Sequence, residues 1–311
     1  MHCQHDGLTF SQPPYLPDVA GVGGRPTIDQ DIPASVIFLL IYLTAAVANM
    51  AIFQLNRRKG HRFIMSWAMF GFCMARVITC VLRIVWATQP TNSRVVIADQ
   101  IFTNAGILVL YIVNLVLCQR VLRATHPRMG WNRPFSRTLT VLYVVLGLAL
   151  VMVISFVILS FYTLNMKLRS DASWIERVSI LYMLLFNILS IVLLLMSSLL
   201  PPSPESEDFG TGSMRAKLII LSVAVFFSTF ISGFRTGTIW AAARPASDPA
   251  WYDSKAAFYI IMFGFEIVAI YLFLFTRFDR RFWIPNGSKQ PGDFVKLEDF
   301  DVKTDVEGEK V

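Results

Sequence analysis

The sequence predicts an all-α fold: an integral membrane bundle of seven helices, amino terminus outside and carboxyl terminus cytoplasmic. Three observations carry that reading. Hydrophobic residues make up 55% of the 311 and charged residues only 16%, too apolar a mixture for a soluble domain of this length. Apolar windows of about 20 residues, enough to cross a hydrocarbon core roughly 30 Å thick, recur seven times, each closed by a polar, proline-bearing or charged segment. Lys and Arg are unevenly shared. With Lys217 counted at the edge of the sixth window, 18 of the 28 flank the helix ends reached after windows one, three, five and seven, 7 flank the other ends, and three lie inside windows. Basic residues favour the cytoplasmic side, which sets the orientation.

In chain order the expected spans are 33–55, 63–88, 95–119, 138–162, 178–200, 216–241 and 256–276. Residues 1–32 are rich in Gly, Pro and Asp and show no apolar stretch before a small-residue cleavage site. They read as a disordered outer segment, and the first helix as an uncleaved anchor. Asp31 and Pro33 mark the start of that helix as a cap and an early-turn proline. Residues 33–283 form the seven-helix domain, and 284–311 an acidic, disordered cytoplasmic tail. The proline-rich, acidic loop 201–212 reads as flexible.

Trp86, Trp174, Trp240 and Trp251 fall at the outer boundary and Trp67, Trp131 and Trp283 at the inner one, the pattern of an aromatic belt. Stacking on a ligand is the alternative for an outer Trp. The net charge of +7 gathers in residues 57–62, 120–137 and 277–281, beside the ends of the spans. That placement makes membrane lipids the expected partners and excludes a nucleic-acid role.

No enzymatic role, cofactor or metal is expected. Cys3, Cys73, Cys80 and Cys118 have neither disulfide-scaffold nor zinc spacing. His2, His5, His61 and His126 all lie outside the spans, so no intramembrane zinc hydrolase is built from them. No Ser and His share a span, and Lys255 is too shallow for a buried Schiff base. Cys118-Gln119-Arg120 replaces the acid-arginine-aromatic triplet of rhodopsin-like receptors, and the seventh span lacks their Asn-Pro-x-x-Tyr, which leaves G-protein coupling without support.

The chemistry therefore rests on polar groups within the spans: Arg76 and Arg83 on the second, Asp99, Gln100 and Asn104 on the third, Arg235 on the sixth and Glu266 on the seventh. A charge at mid-membrane costs about 2.5–3.5 kcal/mol on the insertion scale, so these groups face inward and pair. Arg76 and Glu266 lie at matching depth and are the expected structural ion pair. Arg83, Asp99 and Arg235 form a shallower outer layer in which three arginines overall face two acids. The surplus positive charge suits a small anionic or amphiphilic ligand, with Arg83, Asp99, Gln100, Asn104 and Arg235 as its binding residues. Thr79, Cys80 and Tyr111 would extend the wall. The alternative is that the charges only clamp helices together and the amides are interhelical glue. Gly233 and Gly237 bracket Arg235 in a G-x-x-x-G spacing that lets a neighbouring backbone press close.

Several stretches carry a resemblance: Asp99-Gln100-Ile101-Phe102, Asn104-Ala105-Gly106, His126-Pro127, Gly130-Trp131, Phe234-Arg235-Thr236-Gly237, Phe258-Tyr259, Glu266 and Asp279-Arg280-Arg281-Phe282. Together they resemble a fungal family of seven-helix membrane proteins without an assigned activity, over nearly the whole chain except both termini. More distantly, Arg235, Phe258, Tyr259 and Glu266 are similar to the fungal lipid-translocating exporter family, departing from it at Thr238, where that family is expected to carry a glutamate. The first likeness implies the seven-helix fold, the second transport of amphiphiles. Two readings follow: a protein of the plasma membrane or an endomembrane that binds or senses a small ligand or lipid, or a lipid or amphiphile translocator.

Overall fold

The computed structural model describes residues 13–15, 20–242 and 244–294. Cys3, His2, His5 and the acidic stretch after residue 294 lie outside the described residues. Seven helices are long and apolar enough to cross a membrane: α1 (Ile28–Arg58), α2 (Ile64–Thr88), α3 (Ser93–Thr125), α4 (Arg133–Tyr162), α5 (Met166–Leu199), α6 (Met214–Trp240) and α7 (Lys255–Phe275). The chain has the make-up of a multi-pass membrane protein. Helices adjacent in sequence pack together for α1 with α2, α2 with α3 and α4 through α7, and α7 returns to α1. In the middle stands α3, touching α2, α4, α5 and α6. Its apolar stretch is 56% buried, against 22% for α1 and α4 at the rim. On α4 the residues Val141, Val144, Leu148 and Val151 recur at helical spacing and are all exposed, a face that suits lipid.

The helices outrun the apolar windows, because hydropathy marks only the apolar middle and not the polar turns that continue it. The first turn of α1 begins at Ile28, five residues before the expected start, since the Asp31 carboxylate accepts the Thr27 N–H at 2.8 Å and satisfies a free helix donor. The Asn165 side chain does the same for α5, accepting from Lys167 and Leu168, and starts that helix twelve residues before the expected 178. Ser213 caps α6 and Ser254 caps α7. Both extensions carry an acid, Asp31 and Glu176, into the bundle.

Within α7, Phe258–Gly264 form a π-helical stretch. Such widened turns recur at functional sites. This one turns Phe258, Tyr259 and Phe263 towards α1 and α2, where Phe38 stacks on Tyr259 with ring centroids 5.6 Å apart. The helix ends on Arg277, a non-glycine residue at φ +50°, held there by its guanidinium on Asp279 at 3.0 and 3.1 Å.

The end of the bundle opposite the start of α1 is fastened by its loops. The 201–212 loop is docked rather than loose: Ser203 and Glu207 donate backbone N–H groups to Thr125 and Ala124, and buried Phe209 packs on Phe282 and Phe294. The Glu207 carboxylate accepts the backbone N–H groups of Gly292 and Phe294, so residues 292–294 of the expected tail are bound too. Acids employed as acceptors for backbone donors look the same in composition as acids in a solvated loop.

At that end, Asp279 is also reached by Asn56 Nδ2 at 3.0 Å. Burial pushes its carboxyl up, but the hydrogen bonds from Arg277 and Asn56 outweigh that and hold it below the ordinary 3.8. A depressed folded pKa stabilises the fold above the unfolded value and loses that contribution as pH falls through the folded value. The Asp279 contribution is thus expected to be complete above about pH 5 and to fade below 3.8. An Asp279→Asn variant should be less stable than wild type at pH 7 and converge on it in acid, as measured by thermal unfolding in detergent.

Candidate functional site

At the end of the bundle where α1 starts, a cavity of about 770 Å³ lies among α2, α3, α5, α6, α7 and the strap of residues 20–25 that precedes α1. All five residues expected to bind a ligand, Arg83, Asp99, Gln100, Asn104 and Arg235, line it. Thr79, Cys80 and Tyr111 do not: Thr79 returns its hydroxyl to the Ala75 carbonyl, and the other two are buried in the apolar core.

Arg76 and Glu266 lie beneath the cavity as a bidentate pair. Arg76 Nε donates to Oε2 at 2.6 Å and Nη2 to Oε1 at 2.5 Å, with both residues at most 1% exposed. A third donor, the Tyr42 hydroxyl, reaches Oε2 at 2.9 Å, and Arg76 Nη1 donates to the Thr103 carbonyl at 3.1 Å. The planar guanidinium fits because residue 106 is glycine, where a Cβ would stand 3.2 Å from Arg76 Cζ. Gly233 and Gly237 serve no such purpose. Nothing lies within 4 Å of where their Cβ atoms would be, so no backbone presses on α6 there, contrary to the G-x-x-x-G expectation.

Arg83 spends its donors on the protein itself. Nε lies 3.1 Å from Asp31 Oδ1 and 3.2 Å from the Tyr259 hydroxyl, and Nη2 donates to the Gly23 carbonyl at 2.6 Å. Its guanidinium lies 4.2 Å from the Phe258 ring centroid, while Asp99 Oδ2 stands 4.0 Å from Nη1. Asp31 is the stronger partner and takes Lys255 Nζ as well, at 2.6 Å. Asp31 was read only as the cap of a helix expected to begin at Pro33, and not as a partner of Arg83 and Lys255. An acid two residues before an apolar window is the signal that would have found it. Glu176, on the cavity wall, was lost in the same way two residues before the window at 178. With these acids the surplus positive charge disappears. The basic groups Arg25, Arg83, Arg235 and Lys255 at the wall face Asp99, Glu176 and Asp253 there and Asp31 behind it.

Arg235 has capacity to spare. Nη2 donates to Asn104 Oδ1, whereas Nη1 has no hydrogen-bond partner among the described residues. Asp99 Oδ1 and Thr103 Oγ1 are likewise without partners. Buried polar atoms are ordinarily satisfied, so three orphans on one cavity need explanation. Trp86 lines the same cavity, while Trp174, Trp240 and Trp251 are exposed.

The strap closes one side. Gly23 sits at φ +84°, donates its N–H to the Asp253 carbonyl and gives its own carbonyl to Arg83. A Cβ there would lie 2.7 Å from Phe258 Cγ and 2.9 Å from Arg83 Nη2. Gly23→Ala is therefore expected to destabilise the protein by about 1–3 kcal/mol and to speed hydrogen exchange at residues 20–26. Unchanged exchange would mean that the strap is not held by this contact.

Residues 127–213 and 210–283 match a family model described as a protein of unknown function, DUF3112. Together the two segments cover half of the chain. The protein belongs to this family. No curated protein matches it. The matched part contains α4 to α7, hence Glu176, Arg235 and Glu266, while Asn104 and Arg76, the partners of Arg235 and Glu266, stand on α3 and α2 outside the matched residues.

Proposed function

We propose that this DUF3112 member is a multi-pass protein of the plasma membrane or an endomembrane, without catalytic activity, that binds or senses a small ligand or lipid in the cavity where α1 starts. The basic residues at the opposite end support an outer placement of the cavity end and a cytoplasmic carboxyl terminus. The observation that carries the reading is the cavity itself. It gathers Arg83, Asp99, Gln100, Asn104 and Arg235 and leaves hydrogen-bonding atoms on Arg235, Asp99 and Thr103 unused. Concave sites with a few convergent polar groups are where small molecules bind.

A ligand held by Arg235 and Asp99 bridges α6 and α3. Differential contact with α6 biases any equilibrium in which that helix moves. The far end of α6 meets the docked loop, where Lys217 Nζ donates to the Phe209 carbonyl. Occupancy thereby reaches the cytoplasmic loops.

Translocation of a lipid or amphiphile is the second reading, favoured by the likeness of Arg235, Phe258, Tyr259 and Glu266 to the fungal exporter family. Deeper in the bundle, however, Asn114, Asn187 and Ser228 are buried and joined to one another. Asn114 Nδ2 donates to Ser228 Oγ, which reaches Asn187 Oδ1, and Asn187 Nδ2 donates to Thr229. Such a network is interhelical glue and not a wet path. Fluorescent-lipid flip in proteoliposomes separates the readings. Binding without transport predicts rates equal to empty vesicles. Flip that is present in wild type and lost in Arg235→Gln establishes translocation instead.

A further inference from the structure

The unpartnered atoms of the residues that line the cavity differ in kind, and that difference specifies a ligand. Arg235, only 6% exposed, has a free donor in Nη1, held in place because Nη2 is tied to Asn104. Asp99, 3% exposed, has in Oδ1 an acceptor without a partner among the described residues, and the one cation within salt-bridge range among those residues is Arg83 at 4.0 Å, whose shorter bonds go to Asp31 and Gly23. The surrounding wall is charge-balanced, with acids and bases in equal number once Asp31 is counted. A net anion would face Asp99, Glu176 and Asp253, and a net cation Arg25, Arg235 and Lys255.

We propose that the cavity is a zwitterion site: an ammonium group hydrogen-bonded to Asp99 Oδ1 and an anionic oxygen on Arg235 Nη1, with the Thr103 hydroxyl between them. This rests on the reading of the cavity as a ligand site and names the class of ligand. The chemistry is shared by free amino-phosphates and by the ammonium-phosphate headgroups of membrane lipids.

The test uses the full chain in detergent and three soluble probes at equal ionic strength: glycerophosphoethanolamine (zwitterion), glycerol phosphate (anion) and ethanolamine (cation). The zwitterion is expected to raise the thermal unfolding midpoint most. Asp99→Asn should bring the anion level with the zwitterion, and Arg235→Gln should bring the cation level with it. A parallel series in phosphatidylcholine nanodiscs titrates phosphatidylethanolamine against phosphatidylglycerol. A midpoint raised by the ethanolamine lipid but not by the soluble zwitterion assigns the site to a headgroup, and the reverse assigns it to a free molecule. An anion as effective as the zwitterion on wild type overturns the zwitterion class while leaving a ligand site. Silence of every probe, soluble and lipid, overturns both. The ordering on wild type decides the matter alone, so a variant that fails to fold does not blunt the test.

Discussion

Glu266→Gln is expected to cost about 3–5 kcal/mol of stability, because it leaves a buried guanidinium without its counter-charge. Arg76 keeps the Thr103 carbonyl and a single uncharged amide oxygen as acceptors, and Tyr42 loses the charged oxygen it reaches at 2.9 Å. Arg76→Ala should cost a similar amount. The charge exchange, Arg76→Glu with Glu266→Arg, is expected to be better than either single change and still short of wild type. It places a carboxylate against the Thr103 carbonyl and a cation against the Tyr42 hydroxyl, and it loses the flat fit over Gly106. Surface expression and unfolding midpoints of the four proteins read this out. A double exchange worse than both single variants would remove the pair from the account.

Arg83→Ala is expected to cost about 3 kcal/mol, the low end for breaking a buried pair, since Lys255 stays on Asp31 at 2.6 Å. Its consequences are local and specific. The Gly23 carbonyl loses its donor, Tyr259 loses one of its partners, and the strap comes away from the cavity. Hydrogen exchange at residues 20–26 should rise several-fold while residues near Glu266 keep their protection. Arg83→Lys should not rescue the effect, because one ammonium does not supply Nε to Asp31 and Nη2 to Gly23 together. Full rescue by lysine would show that charge alone matters there.

Much of this was legible in the sequence. Seven apolar windows specify seven helices, because crossing a membrane demands length and apolarity that few other structures share. Matching depth on antiparallel helices brought Arg76 opposite Glu266. What escaped has identifiable physical causes. Asp31 and Glu176 sit just beyond windows defined by hydropathy, on helix turns that polar caps extend. The missing acids made the cavity look positive and Arg83 look free. Gly106 matters because an arginine from another helix lies over it, and Gly233 and Gly237 do not because nothing lies there; spacing along one helix distinguishes neither case. The strap was read as disordered, since a segment rich in glycine and proline gives no hint that an arginine sixty positions later will bond its backbone.

The central claim is that the cavity beside Arg235 holds a ligand. Native mass spectrometry of the protein purified in mild detergent tests it most directly, with Arg235→Gln and the distant Asp279→Asn variant alongside. The account predicts a bound small molecule or lipid on wild type and on Asp279→Asn, and its loss from Arg235→Gln. Identical spectra for all three proteins would contradict it.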